Sequence, residues 1–170
     1  MQRNVSPLKE AILQNHEYQG KTNDCGPFCL AMISRSVTST GAHGKDIAAE
    51  FNKTQWKSIF PVVRRIRDWA TFPWAISSYL TDLGFKSTWH PISRYPCLID
   101  SIIAPCPPIV IIGSWRPLWA HYMILLESDP NKGLGFADPS LPNPELHWFS
   151  EKLFIYRWNS MGRMSITTRI

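Results

Sequence analysis

Cys25 stands where a polar loop gives way to an apolar run: Gln19 to Ile33 reads Q-G-K-T-N-D-C-G-P-F-C-L-A-M-I. Such a junction is a helix start, with Asn23 or Asp24 able to cap it and Phe28, Ala31, Met32 and Ile33 on the following turns. A thiol there faces unpaired backbone N–H groups and the positive end of the helix dipole, and both favour the thiolate. Gly26 leaves the approach to the sulfur open, and the Cys25 backbone N–H is placed to bind an oxyanion. A second stretch, Trp119 to Pro139, opens one apolar strand with His121 and closes the next with Asp138. Pairing those strands antiparallel sets the start of the first beside the end of the second, so His121 and Asp138 become neighbours. A thiol, an imidazole and a carboxylate that orients the imidazole form the set that activates a nucleophile.

Gln19, then Cys25-Gly26-Pro27 at a helix start, a distant His121 at a strand start and Asp138-Pro139 after it resemble the papain-like cysteine peptidases. Among these the pattern is most similar to the bacteriocin-processing, double-glycine-leader peptidases and their free-standing relatives. The resemblance runs from Tyr18 to the last strand. It implies Cys25 as nucleophile, His121 as general base and then acid, and Asp138 as the residue holding the imidazole. It further implies Gln19 as the side-chain donor of the oxyanion hole, paired with the Cys25 N–H. No metal and no organic cofactor is implied. The implied reaction is peptide-bond cleavage through an acyl-enzyme, with Gly-Gly before the cut in the double-glycine-leader group. Acyl transfer or transpeptidation from the same acyl-enzyme uses the same four residues and stays open. So does a binding module that keeps the fold without the chemistry.

The remaining candidates read more plainly. Cys29 lies one helical turn after Cys25 and reads as core. Cys97 and Cys106 form no metal-binding pair with each other or with a nearby His. His16, His43, His90 and His147 have no acidic residue at a telling spacing and read as surface or partly buried side chains. Gly41 to Asp46 is too short for a phosphate loop and reads as a helix entry. Trp115 and Trp119 precede His121; as cleft walls they would form a slot admitting only small residues beside the scissile bond.

Positioning these groups takes helices first and strands after. Helices are expected over Lys45 to Asn52, Val62 to Trp69 and Pro73 to Leu83, the last opened by Pro73 and stopped at Gly84, with Tyr95 to Ala104 ambiguous. Strands are expected over Phe85 to His90, Ile109 to Gly113, His121 to Leu126, Gly133 to Ala137 and Met164 to Thr168, with a Ser150-capped helix reaching Trp158. The expected fold is α+β and papain-like, one domain over 1–170. Its N-terminal helical half, with the nucleophile at a helix N-terminus, packs on a C-terminal antiparallel sheet.

Composition agrees with a folded chain of 170 residues: 44% hydrophobic and 18% charged. The net charge is 18 − 13 = +5, but the basic residues are scattered, and Arg64, Arg65 and Arg67 read as a solvated helix face. Nucleic acid is therefore not an expected partner; the resemblance implies a protein or peptide substrate and, for a toxin of this kind, an immunity or inhibitor protein that plugs the cleft. Met1 to Gly20 holds no apolar run of signal-peptide length, and no window approaches the ~18 apolar residues of a membrane helix. The expectation is a monomer without membrane insertion, in the reducing cytoplasm or exported by a signal-independent route, as a processing enzyme or an interbacterial toxin.

Overall fold

Ile109 to Ile112 is apolar at four consecutive positions because its strand is covered on both faces. Ile109 and Ile111 enter one buried cluster, and Val110 and Ile112 enter the other. The computed structural model describes residues 3–38, 41–57 and 59–169, with the Lys57 side chain left out. In chain order these form β1 (Asn4–Val5), α1 (Lys9–Gln14), α2 (Cys25–Val37), α3 (Gly44–Phe51), β2 (Gln55–Lys57), β3 (Phe60–Val62), β4 (Arg65–Ile66), β5 (Ala70–Thr71) and α4 (Pro73–Asp82). There follow β6 (Lys86–His90), α5 (Tyr95–Asp100) running into one 3-10 turn (Ser101–Ile103), β7 (Ile109–Trp115), β8 (Leu118–Asp129), β9 (Gly133–Ala137), β10 (His147–Phe149), α6 (Glu151–Ser160) and β11 (Ser165–Arg169).

The main sheet runs β10-β9-β8-β7-β11-β6, with β1 added to the far end of β8, and every neighbouring pair is antiparallel. Tyr122, Ile124 and Leu126 of β8 face the cluster built by α2 and α4, while Met123 and Leu125 face that of α5 and α6. Helix α2 is buried from Cys25 through Ser34, which is why its sequence is apolar on every side. Helix α4 starts with Pro73 in its first turn, and Gly84 just beyond it takes φ +94°. Ser150 caps α6 by accepting from the Leu153 N–H. The α+β, papain-like architecture expected from the sequence is the one observed.

The helix expected over Val62 to Trp69 is not there. Val62, Val63 and Ile66 are β-branched and follow Pro61, and the chain makes the hairpins β2–β3 and β4–β5 instead. Asp68, at φ 58°, turns the second hairpin. Of the three arginines expected on a solvated face, Arg67 is exposed, but the other two are not. Arg65 is buried and paired with Asp24, and Arg64 Nη1 donates to Glu50 Oε1 at 2.9 Å.

Candidate active site

Cys25 is the first residue of α2, and its side chain is nearly buried. Asp24 occupies the cap position, but its carboxylate makes no cap bond; it turns to Arg65. The first-turn amides of α2 therefore stay free of a side-chain cap beside the sulfur. The Tyr122 N–H donates to Cys25 Sγ at 3.4 Å, fastening the thiol to β8 one residue past His121.

His121 Nε2 donates to Asp138 Oδ1 at 2.6 Å, as the antiparallel pairing of β8 and β9 required. That leaves the other imidazole nitrogen for Cys25, with which His121 also interacts. Burial pushes the His121 pKa down, but the bond to Asp138 and the nearby Cys25 thiol outweigh it and lift the group from 6.5 to about 9. Asp138 is itself desolvated, yet donors from His121, Ser140 and His147 hold its carboxyl well below the usual carboxylate range. Cys29 also lies in the core, where desolvation raises its pKa well above the ordinary thiol value.

Gln19 reaches the same cleft. Its Nε2 donates to the Thr22 carbonyl at 2.8 Å, which leaves that amide a second N–H, and its Oε1 is buried without a hydrogen-bond partner among the described residues. Its backbone N–H donates to the Pro139 carbonyl at 2.9 Å, so the loop after Asp138 also fixes the oxyanion-hole candidate. The cleft holds about 390 Å³, with Gln19, Cys25 and His121 in its wall, Trp69 and Thr71 from the β4–β5 hairpin, and Leu118 and Trp119 from β8.

Two sequence expectations need correction. Trp115 does not line this cleft: it pairs with Leu118 at the end of the β7–β8 hairpin and is 69% exposed. Gly26 is not among the residues lining this cleft either. A Cβ there would lie 3.0 Å from Ile76 Cδ1 and 3.2 Å from Thr71 Cβ, so the glycine allows α4 and β5 to approach α2. Trp119 does border the cleft, with the Arg157 guanidinium 5.4 Å above its ring.

Two residues were missed. Trp69, assigned to a helix, is an exposed cleft wall, held near the helix start because Asn23 Nδ2 donates to the Asp68 carbonyl at 2.8 Å. His147, read as a bland histidine, donates from Nδ1 to Asp138 Oδ2 at 2.7 Å. Its nine-residue distance from Asp138 carries no signal, because the loop between them and the short strand β10 make the contact.

No family model and no curated protein matches this sequence. Solved structures do match. A C39-like peptidase from Bacillus anthracis superposes with a TM-score of 0.73 at 14% identity, over 100% of this chain and 98% of that one. The peptidase domain of Streptococcus ComA, a bifunctional ABC transporter of a quorum-sensing pathway, gives 0.62 at 20% identity over 90% and 96%. That of Streptococcus mutans ComA gives 0.55 at 19% over 92% and 99%. Across nearly its whole length, this chain has the papain-like fold of the C39-like peptidases.

Proposed function

We propose that this chain is a cysteine peptidase acting through Cys25, His121 and Asp138, with Gln19 in the oxyanion hole. The observation that carries the reading is the His121–Asp138 bond of 2.6 Å, set beside a thiol at an uncapped helix start. Cys25 Sγ attacks the peptide carbonyl carbon, and the resulting oxyanion is received by the second Gln19 N–H and the Cys25 backbone N–H. His121 gives its proton to the leaving amine as the C–N bond breaks, and a thioester remains. Water, deprotonated by His121, then attacks the thioester and releases the acid and the thiol.

The cleft supports a preference for small residues before the cut, Gly-Gly among them, because Trp69 and Trp119 crowd it from opposite hairpins. Trp119→Ala should broaden the residues accepted there, read by cleavage of a peptide library; an unchanged preference removes Trp119 from specificity. The central test compares bacterial cells making the wild type with cells making Cys25→Ala, with all protein N-termini identified by mass spectrometry. New termini that need Cys25 and share a motif support the peptidase; their absence, with a thiol no more reactive than free cysteine, overturns it.

A further inference from the structure

The Asp138 carboxylate serves two imidazoles. Oδ1 accepts from His121 Nε2 at 2.6 Å, from the Ser140 N–H at 2.8 Å and from Ser140 Oγ at 2.7 Å. Oδ2 accepts from His147 Nδ1 at 2.7 Å, the single donor to that oxygen among the described residues. Asp138 is 2% exposed, so an Oδ2 without this donor would sit desolvated and unpaired. A carboxylate turns easily about its last torsion. That turn would move both oxygens, so the donor on Oδ2 adds to the three on Oδ1 in fixing the carboxylate plane.

His147 is itself well held. It lies on β10 opposite Phe136 of β9, the strand that leads into Asp138. Its ring packs on Phe149, centroid to centroid at 4.4 Å. With Nδ1 pointing at a carboxylate, that nitrogen carries the proton. The loop from Pro139 to Leu146 returns the chain to place it there, and also supplies Ser140 and the Pro139 carbonyl that anchors Gln19.

We infer that His147 is a positioning residue: it locks the plane of Asp138 so that Oδ1 stays in line with His121, making the arrangement a Cys-His-Asp-His chain. This rests on the reading of Cys25 and His121 as a reactive pair. The role is orientation, and orientation has a sign that charge alone does not share. Deleting a donor to Asp138 without disturbing it would leave the carboxylate a stronger acceptor and raise the His121 pKa further. Letting the carboxylate turn away would lower it from about 9 toward 6.5.

Two variants separate the hydrogen bond from the packing. His147→Phe keeps an aromatic ring against Phe149 and loses the donor. His147→Asn keeps a donor where Nδ1 lies and loses the ring. The readouts are the rate of Cys25 alkylation by iodoacetamide at neutral pH, which needs no substrate, and the titration of His121 by NMR. His147→Phe should slow alkylation about tenfold and lower the His121 midpoint, while His147→Asn stays within about twofold of wild type. On a peptide substrate, once found, kcat should fall with KM unchanged. A His147→Phe protein that alkylates like wild type, or whose His121 midpoint rises, overturns the proposal and leaves the peptidase reading standing. A wild type that alkylates no faster than free cysteine overturns both. One measurement needs no variant: the ring ¹⁵N shifts of His147 in the wild type should show the proton on Nδ1, and a proton on Nε2 alone overturns the assignment.

Discussion

Asp138 is where chemistry and sequence legibility meet. Its place beside His121 was readable because β8 and β9 are two apolar runs joined by a short turn, and antiparallel pairing alone brings their outer ends together. His147 was not readable, since its contact depends on a Pro-rich loop whose path no periodicity encodes. Gly26 and Trp115 were misassigned for the opposite reason. Each lies near a candidate catalytic residue in sequence, but neither is among the residues lining the cleft. The Asp138 bond also sets the working pH. In the proposed mechanism the reactive form pairs a thiolate with His121 imidazolium, so activity should fall as pH rises through about 9, where His121 loses its proton. In Asp138→Asn that alkaline limb should move toward 6.5, with kcat/KM at pH 7.5 lower by about tenfold or more; pH–rate profiles of both proteins check this.

Elements were legible where their period was strong. The buried run of α2, the proline start of α4, the apolar strands β7 and β8 and the Ser150 cap of α6 all appear near their expected limits. The β2–β3 and β4–β5 hairpins were not legible, because Arg64 to Arg67 looks like a charged helical face until Asp24 claims Arg65. One turn holds His121 and Asp138 in register. Gly133, at φ +94°, ends the connection between β8 and β9, and a Cβ there would lie 2.2 Å from the Phe149 carbonyl oxygen. Gly133→Ala should therefore cost about 3 kcal/mol, from backbone strain and the displacement of β10 together, read as a lower urea midpoint. Activity should fall with it, because β10 carries His147.

At the scale of the molecule, the site is also part of what holds the fold together. Asp138 has its pKa lowered by folding, so its contribution is present above the ordinary carboxylate range near 3.8 and is lost as pH falls through and below it. His121 has its pKa raised, so its contribution is full below 6.5 and is lost as pH rises through about 9. Stability should peak between these limits and decline on the alkaline side by on the order of 3 kcal/mol, with Asp138→Asn flattening both slopes in urea unfolding at several pH values.

Strand β11, last in chain order, lies inside the sheet between β7 and β6. Synthesis delivers the chain from its N-terminus, so β6 and β7 leave the ribosome with nothing between them. Until residues 165–169 emerge, each keeps a bare edge of backbone N–H and C=O groups, the kind of edge that pairs with other chains. The nascent protein thus carries Cys25 early and completes its sheet late, and the interval is when a chaperone has most to protect.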